Sequence, residues 1–250
     1  MMGHSTINPD ICAMQQQEQS IFMFPEPGVN GHFAVTGDGS KTIYNPQVGE
    51  NYHSRHGALQ ESNHVFLNSG LRYFLAGNDT NEVSVLEVGL GTALNFLLSA
   101  DYCTAKEISL NYTGIEAHPL NGATMAATGY DEYVSAGLWN TFLDKYPQSI
   151  NQTISINNYC QLQTAYGKLM DFSSAQQFDV IYFDAFAAIH QPEMWDDAAI
   201  THTINFLKPG GVFVTYAITG HLKRLLKSLG LKVEKAPGAP GKREMLRAVL

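Results

Sequence analysis

One junction constrains this chain more than any other. EVSVLEVG (82–89) is a largely β-forming apolar run. It breaks on Gly89 and Gly91 and passes directly into the apolar, helix-forming TALNFLLSA (92–100). A buried strand, a glycine turn and a helix in immediate succession are the first half of a βαβ unit. Such units need a parallel sheet with helices packed on both faces.

The alternation continues to the end of the chain. ISLNYTGIE (108–116) precedes the helical stretch PLNGATMAATGYDEY (119–133). A polar strand around CQLQTAYG (160–167) is followed by the apolar FDVIYF (178–183). PEMWDDAAITHTINFL (192–207) reads as a helix, GGVFVTYAI (210–218) as a strand, and TGHLKRLLKSLG (219–230) as a helix. In the last of these, Leu222, Leu225, Leu226 and Leu229 recur at i, i+3, i+4 and i+7 and oppose Lys223, Arg224 and Lys227. LKVEKA (231–236) and REMLRAVL (243–250) are joined by PGAPGK (237–242) without a helix, so the final strand should run antiparallel. The expected fold class is α/β and Rossmann-like, with a mostly parallel sheet and an antiparallel last strand, an arrangement that resembles the class I methyltransferase sheet.

Ahead of this lies an extension. HFAVTGDGSKTIYN (32–45) is a hairpin around Gly37-Asp38-Gly39. ESNHVFLNSGLRYFLAG (61–77) places Val65, Phe66, Leu71, Phe74 and Leu75 mostly at helical spacing. Residues 1–29 are Gln-rich, then Pro-punctuated, and read as a flexible leader. The expected organisation is therefore leader 1–29, β-hairpin and helix extension 30–77, and a cofactor-binding domain 78–250.

Composition excludes several classes. There is no run of about 18 apolar residues to span a membrane, and no basic-then-apolar start to direct secretion. Cys12, Cys103 and Cys160 lack any zinc or disulfide spacing and suit reduced thiols in a cytoplasmic protein. The net charge is −8, yet residues 221–250 hold eight Lys/Arg against two acids. A local basic face matters more for contacting phosphates than the global sum does.

The glycine loop points to a nucleotide. A nicotinamide or flavin site favours G-x-G-x-x-G, but Leu94 stands at the third glycine position. Glu87 before the loop would repel a pyrophosphate and suits the sulfonium and ammonium of S-adenosyl-L-methionine. Glu116 ends the next strand, where an acid accepts from ribose hydroxyls. Asp184, at the tip of the fourth strand in FDAFAAIHQPEMW (183–195), lies beside the cofactor crevice. There it would hold an acceptor amine and take its proton as the catalytic residue. Trp195 either walls the acceptor pocket or shares a core-facing helix side with Ala199 and Phe206. His53, His56 and His64, with Glu61 nearby, do not match a standard ligand spacing, so no metal is expected.

Three blocks resemble the methyltransferase domain of the MnmC-like tRNA 5-methylaminomethyl-2-thiouridine biosynthesis family. They are YHSRHGALQESNHVFL (52–67), EVGLGTALNFLL (87–98), and FDAFAAIHQPEMW followed by LKPGG (207–211) and GKREML (241–246). The resemblance implies methyl transfer from S-adenosyl-L-methionine to the aminomethyl nitrogen of a tRNA wobble uridine. It implies Asp184 on the substrate side and Glu61, Thr92 and Asn95 beside Glu87, Gly89, Gly91 and Glu116 at the cofactor. His53, His56, Trp195, Lys223, Arg224, Lys242 and Arg243 become candidates for the substrate and RNA side. The sequence resembles a stand-alone form without a flavin domain, which leaves a separate oxidoreductase or upstream modification enzymes as partners beside tRNA. It departs from the family at Lys168, where an acid usually meets adenine and Asp171 is the substitute, at Ala187-Ala188, and at Thr219. A small-amine or polyamine methyl- or aminopropyltransferase and a non-catalytic binding scaffold are the alternatives.

Overall fold

A computed structural model describes residues 33–239 and 241–250; the expected leader and Cys12 lie outside the described residues. Three short strands come first: β1 (Phe33–Val35), β2 (Lys41–Asn45) and β3 (Glu50–Asn51), which form a small antiparallel sheet. A continuous helix α1 follows through Ala58–Glu61, Ser62–Arg72 and Tyr73–Gly77. The α/β body then runs β4 (Glu82–Val88), α2 (Leu94–Ala105), β5 (Ser109–Glu116), α3 (Gly122–Ala127), α4 (Ala136–Lys145), β6 (Ile154–Ser155) and β7 (Cys160–Tyr166). It closes with β8 (Phe178–Phe183), α5 (Asp197–Ile204), β9 (Leu207–Thr215), α6 (Gly220–Ser228), β10 (Lys232–Pro237) and β11 (Glu244–Val249).

The main sheet has the order β10-β11-β9-β8-β4-β5-β7-β6. Its centre is parallel, and β11 runs antiparallel to both β9 and β10, as the helix-free final connection requires. Strand alternation sorts the core into two layers. Val83, Val85, Tyr112, Val180, Tyr182, Val212 and Val214 pack against α1, α2 and α4. Leu86, Val88, Ile181, Phe183 and Phe213 pack against α5 and α6. Burying each of these large side chains contributes about 1.5–3 kcal/mol.

The middle of α1, Ser62–Arg72, is wound as a π-helix. The wider turn, with i→i+5 hydrogen bonds, keeps Val65, Phe66, Gly70 and Leu71 all on the buried side. Gly70 lets the helix lie directly on the sheet, because a Cβ there would come within 2.8 Å of the Tyr182 ring and 2.9 Å of Val214.

Two expected helices differ. The one expected over 119–133 is only Gly122–Ala127, capped by the Asn121 side chain accepting from Thr124 N (2.8 Å). The chain turns at Gly129 (φ 72°) and forms α4, which was not anticipated; Leu138, Trp139 and Phe142 are its buried stripe. The helix expected over 192–207 splits in two. Pro192–Trp195 is one 3₁₀ turn, and Asp196 caps a fresh start by accepting from Ala199 N (2.8 Å). Trp195 therefore does not share a helix with Ala199. No helix among the described residues is long and apolar enough to cross a membrane.

Candidate active site

The C-terminal ends of β4, β5, β8 and β9 open into one cleft of about 800 Å³. This is the edge where parallel α/β sheets bind ligands. The loop after β4 forms its floor. Gly89 (φ 89°) and Gly91 (φ 51°) both adopt left-handed backbone. A Cβ on Gly89 would lie 2.7 Å from the Asp184 carbonyl oxygen, so only glycine lets these two strand ends meet. Asp184 N–H donates to Val88 O (2.9 Å), which completes the junction.

The extension supplies the opposite wall. Tyr52 packs on Phe186 with ring centroids 5.1 Å apart. Glu50 Oε2 accepts from Ala187 N–H (2.9 Å), tying the loop after β8 to β3. His53 Nε2 lies 2.7 Å from Thr92 Oγ1, which also accepts from the Tyr130 hydroxyl (3.2 Å). Burial holds the His53 imidazole down at about 4, against the opposing pull of Glu61 and Asp38, so the ring is neutral at neutral pH.

Acids dominate the deep end. Asn95 Nδ2 donates both to Glu87 Oε1 and to Asp184 Oδ2, each at 2.8 Å. Burial pushes the Asp184 carboxyl up to about 8, helped by the charge of Glu61; the Asn95 hydrogen bond and Lys242 oppose the rise. Burial also raises Glu87 well above the usual carboxylate range, and neighbouring Asp184 adds to it. Two buried carboxyls sharing one amide donor thus each disfavour the charged form of the other. Glu61 is already compensated: Lys242 Nζ donates to its Oε1 (2.6 Å), and Ser54 N–H donates to its Oε2 (3.1 Å). The Lys242 ammonium also lies 4.0 Å above the Tyr216 ring. Tyr216 in turn donates its hydroxyl to Ala185 O (2.8 Å), fixing the backbone just after Asp184.

The residues present fit S-adenosyl-L-methionine. Glu116, at the end of β5, accepts from Gly91 N–H (2.8 Å) and His118 N–H (2.9 Å) and keeps lone pairs for ribose hydroxyls. Asn95 Oδ1 is buried without a partner among the described residues, an acceptor suited to an ammonium or hydroxyl. Gly167, Lys168, Leu169, Met170 and Asp171 border the cleft beyond Glu116, so the departure at Lys168 and its substitute Asp171 both face it.

Gly89, Gly91, Thr92, Asn95, Glu116, Glu61, His53 and Asp184 thus come together around one cleft. Glu87 does not border it. Its side chain points the same way as Val83 and Val85, under α2, where Asn95 and the Tyr112 hydroxyl (2.8 Å) hold it. Trp195 does not border it either: its indole N–H donates to Phe186 O (2.7 Å), and its ring stacks edge-on against Phe183. Lys242, expected on an outer RNA-facing rim, points inward to Glu61. Arg243 and Arg224 are exposed, Lys223 is half-buried, and His56 is exposed against Gly241. His64 faces away, with Nε2 2.7 Å from Pro237 O. Tyr52, Phe186 and Tyr216 were missed as wall residues. Tyr216 follows β9 directly, so the strand-tip argument that singled out Asp184 after β8 would have found it.

Residues 134–250 match the family described as S-adenosyl-L-methionine-dependent methyltransferase. The chain is also similar to bifunctional proteins named tRNA 5-methylaminomethyl-2-thiouridine biosynthesis protein MnmC. With that of Magnetococcus marinus it shares 29% identity over 218 residues, 84% of this chain and 32% of the relative. With that of Leptospira interrogans it shares 31% over 229 residues, 85% of this chain and 34% of the relative. The chain thus spans about a third of the length of these curated relatives. The crystal structure of MnmC2 from Aquifex aeolicus superposes with a TM-score of 0.70 at 19% identity, covering 98% of this chain and 78% of that one. The chain is MnmC-like in sequence and in fold. Residues 134–250 are thus similar to S-adenosyl-L-methionine-dependent methyltransferases, the fold is like that of MnmC2, and the glycine-loop cleft is where that cofactor fits.

Proposed function

We propose that this MnmC-like chain methylates the aminomethyl nitrogen of 5-aminomethyl-(2-thio)uridine at the wobble position of tRNA. One observation carries the reading. Asp184 stands at the strand tip beside the glycine loop, in an acidic pocket walled by Tyr52, Phe186 and Tyr216, in a chain whose relatives are named for the methylated nucleoside, 5-methylaminomethyl-2-thiouridine.

Bound S-adenosyl-L-methionine supplies a methyl group activated by a sulfonium. An alkylammonium has no lone pair, so the acceptor must first lose a proton. With its carboxyl held up near 8, Asp184 is closer to an amine in proton affinity than an ordinary carboxylate is. That match suits an acid-base partner. A cationic acceptor draws Asp184 into its ionised form, hydrogen-bonds to it, and passes it the proton as the nitrogen lone pair becomes free. Asn95 Nδ2 orients the carboxylate, and the aromatic walls hold a splayed base flat so that nitrogen and methyl carbon stay aligned.

In this reading, residues 78–250 are the methyltransferase domain, and the extension within 30–77 closes the acceptor side. Arg55 at the mouth, together with Lys223, Arg224 and Arg243, contacts tRNA phosphates. A separate oxidoreductase or another upstream enzyme would deliver the free aminomethyl group, and the reaction would belong to the cytoplasm.

The test is nucleoside mass spectrometry after incubating the protein and S-adenosyl-L-methionine with tRNA bearing 5-aminomethyl-uridine. The expected result is a gain of one methyl on that nucleoside, lost with Asp184→Ala. Methylation of free amines but not of tRNA would instead support the small-amine reading, which the surplus of acids in the cleft favours.

A further inference from the structure

We propose that Lys242 sets the acceptor specificity of the cleft by occupying its second ammonium seat, so that the site accepts one cationic nitrogen and rejects a diamine. The inference rests on the reading that Asp184 receives the acceptor amine.

The seat is defined by what already sits in it. Lys242 Nζ is 2.6 Å from Glu61 Oε1 and 4.0 Å above the Tyr216 ring. A carboxylate on one side and an aromatic face on the other are the two groups that recognise an alkylammonium. The Glu61 side chain is only 9% exposed, so its charge has little access to water and needs a partner. Glu61 is the charge that most strongly disfavours an ionised Asp184, and Lys242 acts on Asp184 in the opposite sense. The two carboxyls therefore share one electrostatic environment, and both face the cleft. Without Lys242 they would form a pair of acidic seats, the arrangement a diamine needs. With Lys242 in place, Asp184 is the one of these two carboxyls left open.

The turn that delivers Lys242 is braced. Lys242 N–H donates to Ala239 O (2.8 Å), and Gly238 N–H donates to Arg243 O (3.2 Å). His64 Nε2 lies 2.7 Å from Pro237 O, pinning the turn to α1. Gly241 presses on His56 so closely that a Cβ would come within 2.6 Å of the imidazole. The β10–β11 turn is thus clamped to the extension on two sides, with the ammonium directed inward as a built part of the pocket.

The experiment is calorimetric titration of the wild-type chain, Lys242→Met, Lys242→Gln and the double variant Lys242→Met/Glu61→Gln with 1,4-diaminobutane and with n-butylamine. Circular dichroism melts on each variant confirm the fold. Lys242→Gln removes the charge, is one atom shorter and keeps a polar amide beside Glu61, and so serves if the methionine variant does not fold. The diamine-to-monoamine affinity ratio should be near one in the wild type and rise at least about tenfold in both single variants, the scale of one charge-assisted contact. In the double variant it should fall back. An unchanged ratio in a folded single variant, or a wild type that already prefers the diamine as strongly, would overturn the proposal. The readout needs no tRNA. A chain that shows the ratio change but leaves tRNA unmethylated would keep this inference and sink the wobble-uridine reading.

Discussion

Replacing Asp184 with Asn should make the ligand-free protein more stable, by an amount that grows with pH. In the fold the Asp184 carboxyl sits near 8 instead of 3.8, chiefly because it is buried. Below about pH 4 it is protonated both folded and unfolded, and it contributes no difference. Between about pH 4 and 8 the unfolded chain releases the proton and the folded chain keeps it. Stability then falls by about 1.4 kcal/mol per pH unit. Above about pH 8 both states are ionised and the penalty is constant, on the order of 5 kcal/mol across the whole window. An Asn side chain has the same shape, still accepts from Asn95 Nδ2 and carries no charge to desolvate. It also relieves Glu87, which Asp184 pushes upward. Urea unfolding at pH 5, 7 and 9 measures the difference: Asp184→Asn should exceed the wild type by about 1–2 kcal/mol at pH 5 and by several kcal/mol at pH 9, while losing methyl transfer. A stability difference that stays flat across pH would refute the argument, since it would mean that Asp184 is hydrated or already paired in the fold.

Three further outcomes are expected. Gly89→Ala should cost roughly 1–2 kcal/mol for its left-handed backbone, with more from the 2.7 Å approach to the Asp184 carbonyl. A lower urea midpoint and at least about tenfold weaker S-adenosyl-L-methionine binding by calorimetry would check it. The His53 imidazole, held at about 4 by burial, should show no proton NMR titration between about pH 5.5 and 8. A transition in that range would mean the ring is open to solvent. Lys223→Ala with Arg224→Ala should lower the salt slope of tRNA binding by about one for each phosphate that is no longer neutralised. Lys242→Ala should leave that slope unchanged, because Lys242 is paired with Glu61 inside the cleft.

Physical reasons separate what could be read from the chain from what could not. The alternation of the main strands with helices, the antiparallel final strand and the position of Asp184 follow from local periodicity and from where β-runs end. Such signals lie within a few residues of one another. Gly89 and Gly91 were legible for the same reason, since a chain that turns sharply between strand and helix needs left-handed backbone there. The splitting of the 192–207 helix was missed because helix formers surround Asp196, and only its cap bond to Ala199 shows where the helix restarts. The π-helical winding of α1 answers to packing on Tyr182 and Val214, residues more than a hundred positions away.

Glu87 and Lys242 mark that boundary most clearly. Each stands where sequence reasoning would put it, before the glycine loop and in a basic tail. Which way a side chain faces, however, depends on what the sheet and the returning turn bring against it. Glu87 follows the alternation of β4 under α2, into the hands of Asn95 and Tyr112. Lys242 meets a glutamate 181 positions earlier in the chain. By itself the sequence determined a parallel α/β sheet, a glycine-floored cofactor edge and a carboxylate at the strand tip, because each is a local pattern of burial and backbone freedom. Only the tertiary structure decided which charges are paired, as Glu61 is with Lys242, and which acid borders the cleft without an ion-pair partner, as Asp184 does.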